Sequence, residues 1–155
     1  MRTIFRNITL GLFALEINTT ALAASDRGTA DEAVVMVKKA VAYLKANGKE
    51  KAYTEFSNPK GQFVDRSLYI FVYDMKGNNL AIGNGNASKM VGKNLIEMRD
   101  ADGVYLIKNF IEIANTKGNG WSDYKWPNPV NATIEPKSSY VEKVGDVLIG
   151  CGIYK

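Results

Sequence analysis

Residues 102–155, DGVYLIKNFIEIANTKGNGWSDYKWPNPVNATIEPKSSYVEKVGDVLIGCGIYK, decide the fold. Val104, Ile107, Phe110, Ile111 and Ala114 recur at three- and four-residue spacing, the apolar stripe of a helix. Lys108, Asn109 and Glu112 take its other side. Gly118 and Gly120 stop the helix, since glycine supplies the left-handed conformation a C-terminal cap wants. Residues 121–126 then read as a strand, closed by Pro127-Asn128-Pro129. Residues 137–144 form a second strand, Gly145-Asp146 turns the chain, and residues 147–154 form a third. The spacing therefore predicts a helix over 103–116 feeding an antiparallel meander.

Upstream, residues 68–75 are the clearest strand. Tyr69, Phe71 and Tyr73 point one way and Leu68, Ile70 and Val72 the other, so both faces should be covered. Lys76-Gly77-Asn78 turns this strand into Leu80-Ala81-Ile82. Gly83-Asn84-Gly85-Asn86 carries a G-x-G, but Ser88 stands where a dinucleotide loop has its third glycine, and the stretch reads as a loop. Residues 91–95 form a short turn or helix. Nearer the N-terminus, Thr29-Ala30-Asp31-Glu32 is a capping box, opening a helix with Val34, Val37, Val41 and Leu44 on one side. Asn47-Gly48 ends it after barely two heptads, too few for a coiled-coil stalk. Ala52, Tyr53 and Phe56 suggest a second short helix, broken at Asn58-Pro59. Helix, short helix, two strands, helical connection and three strands make an α+β protein built on a five-stranded antiparallel sheet.

The 155 residues suit one domain, and 20 basic against 16 acidic residues leave a diffuse excess with no basic run. That pattern gives nucleic-acid binding no support. Residues 1–24 read as an export signal: Arg2 and Arg6, an apolar stretch over 10–15, and Ala21-Leu22-Ala23 as a small-x-small cleavage site. Glu16 interrupts the pattern, and an uncleaved N-terminal anchor is the competing reading. With cleavage, residues 25–155 form a single domain, periplasmic or secreted, with no membrane span.

The chain has no histidine and one cysteine, Cys151, between two glycines on a strand that reads as buried. Nucleophilic and metal chemistry have little to work with, so no catalytic residue, metal or cofactor is expected. A small enzyme of cone-shaped α+β fold using Asp and Tyr, and a structural module that docks a partner, are the alternative classes. The aromatic and lysine set says more. Tyr73, Trp121, Tyr124, Trp126 and Tyr140 lie on predicted strands, and Lys137 opens the strand holding Tyr140. Alternation sets Tyr124 with Trp126 on one face, and Trp121 with Asp123 and Lys125 on the other. Ring walls with a few fixed polar groups hold small ligands, and a lysine at the edge suits a carboxylate. The same rings also suit plain core packing and cross-strand pairs.

Several motifs in order, W-x-D-Y-K-W-P-N-P at 121–129, E-P-K-S-S-Y-V at 135–141 and G-x-G-I-Y at 150–154, resemble the single Cache domain. V-G-K-N-L at 91–95 and D-A-D-G at 100–103 extend the resemblance, which runs from about Thr29 to the C-terminus. The Cache domain is the PAS-like extracytoplasmic ligand sensor of bacterial chemoreceptors and histidine kinases. The resemblance implies a PAS-like sheet with helices over one face, a pocket between sheet and helical connection, and a short organic acid as ligand. Carried onto matching positions, it implicates Tyr73, Trp126, Lys137 and Tyr140, with Met98 and Arg99 of the connecting segment nearby. Ile82 stands where many members carry a histidine, a departure at the pocket. Receptors of this kind continue into a transmembrane helix, whereas this sequence stops at Lys155, so the expectation is a free-standing exported sensor with a separate membrane receptor or histidine kinase as partner.

Overall fold

The structure is a computed structural model that describes residues 26–155, so the expected export signal lies outside the described residues. It opens with α1 (Ala30–Asn47), whose capping box is present: Thr29 Oγ1 accepts from the Glu32 amide at 3.3 Å and Glu32 Oε2 from the Thr29 amide at 2.7 Å. Gly48, at φ 79°, ends α1 and opens α2 (Lys49–Phe56) in a conformation that suits glycine. Then come β1 (Val64–Asp65), β2 (Leu68–Asp74), β3 (Asn79–Ile82), the single turn α3 (Ala87–Met90), α4 (Leu106–Thr116), and the meander β4 (Asn119–Pro127), β5 (Ile134–Val144) and β6 (Val147–Tyr154).

The strands pair antiparallel in the order β1-β2-β6-β5-β4, with β3 on the β2 edge that β1 also uses. The five expected strands are there, and the sixth is the two-residue β1, too short to show a period in sequence. The C-terminal strand β6 sits between β2 and β5, which explains its continuous apolar run and its burial from Val147 to Gly152.

Helices cover both faces of the sheet rather than one. Leu68, Ile70, Val72, Ile149 and Cys151 pack beneath Val37, Ala40, Val41 and Leu44 of α1. Tyr69, Phe71, Tyr73, Val141 and Leu148 pack against Leu106, Ile107, Phe110 and Ala114 of α4. The cause is β2, apolar on both sides, so each face needs its own cover. Helix α4 starts at Leu106, three residues later than its periodicity suggests, because Asp100 holds the preceding chain in a loop. Its Oδ1 accepts from the amides of Asp102 (2.9 Å) and Val104 (2.8 Å), and its Oδ2 from the Lys125 amide of β4 (2.7 Å). One carboxylate thus ties the connecting segment to the sheet edge.

Candidate ligand-binding site

Between the α4 face of the sheet and α4 itself lies an aromatic box. Tyr69, Phe71 and Tyr73 of β2, Ile82 of β3, Leu106 and Phe110 of α4, and Tyr124 and Trp126 of β4 surround a cavity of about 10 Å3. That is the space of one water molecule. Phe71 stacks on Phe110 at 5.3 Å between centroids, and Phe110 meets Tyr124 edge-on at 5.4 Å. Trp126 is shared with a second cavity of about 260 Å3, bordered by Asn84, Asn86, Pro127, Asn128, Pro129 and Ala132.

Lys137 stands beside this box. On β5 it lies directly across from Tyr124 of β4 on one side and Tyr154 of β6 on the other, so the three side chains stand abreast on one face. Only 1% of Lys137 is exposed. Its Nζ donates to the Tyr69 hydroxyl at 2.7 Å and reaches the Tyr154 hydroxyl at 3.4 Å. The rings of Tyr69 and Tyr154 lie 4.0 and 4.7 Å from the same nitrogen. Among the described residues no carboxylate pairs with it, in contrast to Lys38, Lys49, Lys108, Lys125 and Lys155. Burial without a counter-charge lowers its pKa from the ordinary 10.5 to about 7. Burial also holds the phenols of Tyr69, Tyr73, Tyr124 and Tyr154 above the ordinary tyrosine value, so they remain neutral donors and acceptors.

The neighbouring hydroxyls are paired as well. Tyr124 and Ser139 are linked at 2.8 Å, and Tyr154 donates to the Pro127 carbonyl at 2.8 Å, at the root of the β4–β5 loop. Space for the lysine comes from Gly152, where a Cβ would fall 2.5 Å from Lys137 Cε and 2.1 Å from Ser139 Oγ. Gly150 does the same for the Phe71 ring, 2.3 Å from the place a Cβ would occupy.

A family model described as a Cache domain matches residues 31–155. The chain belongs to the Cache domain family. Its fold is similar to that of a methyl-accepting chemotaxis protein from Vibrio parahaemolyticus RIMD 2210633, at a TM-score of 0.68 and 27% identity over 80% of this chain and 86% of that one. A Cache chemosensory domain described for carboxylic acid recognition shares the fold at a TM-score of 0.65 and 22% identity, over 80% of this chain and 91% of that one. In sequence, the Cache domain is 34% identical over 88 residues to the sensor histidine kinase MctS of Rhizobium johnstonii, 56% of this chain and 18% of that protein. The chain thus spans about a fifth of the curated relative it matches.

The sequence-predicted site residues divide. Tyr73 and Trp126 line the box, Lys137 adjoins it through Tyr69, and Met98 packs against the same cluster. Arg99 is exposed and turns outward, its guanidinium 4.2 Å from the Tyr105 ring and bonded to the Tyr105 hydroxyl. Tyr140 lies on the opposite face, under α1, where its hydroxyl donates to Glu142 at 3.1 Å and its ring meets Trp121. The reason is the strand period: three residues separate Lys137 from Tyr140, and an odd offset reverses the face. Tyr69 and Tyr154 were not singled out in the sequence, and Tyr124 was named in the aromatic set without being assigned to the site. Once Lys137 is taken as the reference, the register of β5 with β4 and β6 brings in Tyr124 and Tyr154, and the pairing of β6 with β2 brings in Tyr69, but that register is a long-range property. Cys151 is buried beside Met36, its Sγ 3.8 Å from the thioether sulfur, and burial pushes its thiol up to about 12. It is a packing group.

Proposed function

We propose that this Cache domain senses a short organic acid whose carboxylate is held by Lys137 and the hydroxyls of Tyr69 and Tyr154, the water-sized box among Phe71, Phe110, Tyr124 and Trp126 opening toward the adjoining cavity of about 260 Å3 to take its apolar part. The observation that carries the reading is Lys137 itself: a buried lysine, without a carboxylate partner among the described residues, hydrogen-bonded to Tyr69 of the aromatic box. Burying an unpaired charge is costly, and an anion entering the site would remove that cost. The carboxylic acid recognised by one fold neighbour is consistent with this chemistry. As Cache domains serve chemoreceptors and histidine kinases outside the cytoplasm, we place this one in the periplasm after export, with a membrane receptor or kinase reading its bound state. No helix of the described residues is long and apolar enough to cross a membrane.

The test is a thermal-shift and calorimetry series with acetate, propionate, lactate and pyruvate against the wild type and Lys137→Met. Saturable stabilisation is expected, about 2.7 kcal/mol at a hundredfold excess over the dissociation constant. The variant is expected to fold and to lose on the order of 2–5 kcal/mol of binding, the usual cost of truncating one partner of a buried charged pair. Equal affinity in the two proteins would refute the anchor.

A further inference from the structure

We propose that Lys137 is also a nucleophile, condensing reversibly with small carbonyl compounds, aldehydes and 2-oxo acids, that enter the aromatic box. The inference rests on the proposed pocket and goes beyond holding an anion. Its basis is the surroundings of one nitrogen. Nζ is enclosed, its hydrogen-bond partners are two phenol hydroxyls, and the described residues give it no carboxylate. A phenol oxygen accepts a hydrogen bond from a neutral amine as well as from an ammonium, and the only groups favouring the proton are the Tyr69 and Tyr154 ring faces, weaker holds than a carboxylate. Lys38 and Lys49 show the contrast: Glu142 and Asp146 hydrogen-bond to them and hold their pKa values above the ordinary one. With a pKa near 7, Lys137 is a free amine in about half of the molecules at neutral pH. A lysine desolvated by apolar walls is the setting in which imine-forming lysines occur.

The step balances without an added oxidant or reductant. The Nζ lone pair attacks the carbonyl carbon, a C–N bond forms, and the C=O π pair moves to oxygen. The Tyr69 hydroxyl, 2.7 Å from Nζ, is placed to pass the amine proton to that oxygen. The carbinolamine then expels its oxygen as water while the nitrogen lone pair closes the C=N bond. One water leaves per imine, and its return restores the lysine. Trp126 lines both the water-sized box and the 260 Å3 cavity, so a carbonyl compound enters by displacing its indole.

The experiment is reductive trapping on the intact protein with pyruvate or acetaldehyde and sodium cyanoborohydride, followed by peptide mapping. The expected result is one dominant adduct, on the peptide carrying Lys137, increasing from pH 6 to pH 8 and suppressed by propionate, which has no carbonyl to trap. In Lys137→Met that adduct is absent while the exposed lysines react as before. Mapping of the wild type alone decides the point if the variant fails to fold. Adducts spread over exposed lysines without preference for Lys137, or no adduct at all, would overturn the inference. Propionate that stabilises the protein while pyruvate leaves no adduct at Lys137 overturns it and leaves the carboxylate anchor standing. An acetaldehyde adduct at Lys137 with no carboxylate binding supports it and overturns the anchor.

Discussion

If Lys137 is buried without a counter-charge, pH should control both the stability of this domain and its affinity for an acid. In the unfolded chain this lysine keeps its proton until about pH 10.5, and in the folded protein it releases it near 7. Between those values the unfolded state binds more protons, so stability rises with pH across that window, and below 7 the full penalty applies. The interval from 10.5 to about 7 corresponds to roughly 5 kcal/mol of penalty on the charged form, acquired at up to about 1.4 kcal/mol per pH unit. Lys137→Met removes that penalty but leaves the Tyr69 hydroxyl without its partner, a cost of about 1–3 kcal/mol. The variant should therefore be more stable than the wild type by roughly 2–4 kcal/mol at pH 6, and the gap should shrink or reverse by pH 9. Tyr69, Tyr124 and Tyr154 titrate above their ordinary range and Cys151 near 12, so the groups facing Nζ stay neutral throughout.

Ligand affinity carries the same proton with the opposite sense. A bound carboxylate restores the ammonium, so above pH 7 the complex holds one more proton than the free protein. The association constant should fall about tenfold per pH unit from 7 upward. Calorimetry in two buffers of different ionisation enthalpy should report uptake of about half a proton at pH 7 and nearly one at pH 8. Chemical denaturation of both proteins from pH 6 to pH 9 measures the stability arm, and the difference between the two curves isolates Lys137 from the surface carboxylates. Parallel curves, together with an affinity flat over that range, would refute the reasoning.

Gly152→Ala should drive Lys137 or Ser139 from its place, since the new methyl group falls within 2.5 Å of both. We expect about 1–3 kcal/mol less stability by denaturation, as for an overpacked core, and weaker binding of any acid that Lys137 holds. Tyr140→Phe should leave ligand affinity unchanged by calorimetry, because its hydroxyl lies on the α1 face with Glu142. A loss of binding there would place the pocket on the wrong side of the sheet. For the leader, mass spectrometry of native protein should give a mature N-terminus at Ala24 or Ser25, and an intact Met1 in the membrane fraction would make the domain a tethered one.

Local chemistry was legible in the sequence and register was not. Thr29 and Glu32 lie three residues apart, so the capping box could be read directly, and β6 was read to its ends because Gly145-Asp146 and the C-terminus bound it. The hydrogen bond from Lys137 to Tyr69 spans 68 positions and depends on how β5, β6 and β2 are aligned. No local period contains that alignment. Arg99 illustrates a different difficulty: the connecting segment passes close to the box, but a cation there is better solvated outside on Tyr105 than buried among Phe71 and Phe110. Asp100 was readable as a turn former, and its turn bonds are present. Its third bond, to Lys125 across 25 positions, holds the segment in place and leaves no local trace.

The terminal G-x-G-I-Y has a physical meaning in this sheet beyond its value as a resemblance. Gly150, Gly152 and Tyr154 share the α4 face of β6. Gly150 takes the edge of the Phe71 ring, Gly152 takes the stem of Lys137, and Tyr154 brings a hydroxyl to its amine. A lysine on a flat sheet bordered by larger residues would lift its amine toward solvent, as lysines do when their stems lie on apolar surface. Here the missing side chains lower the floor of the central strand, and the lysine lies in the trough with its amine at the level of the Tyr69 hydroxyl. The buried amine and the glycine beneath it are therefore one device. A change at either position alters the state of the other, because the trough determines whether Lys137 meets a ligand as a desolvated amine or as an ordinary surface charge.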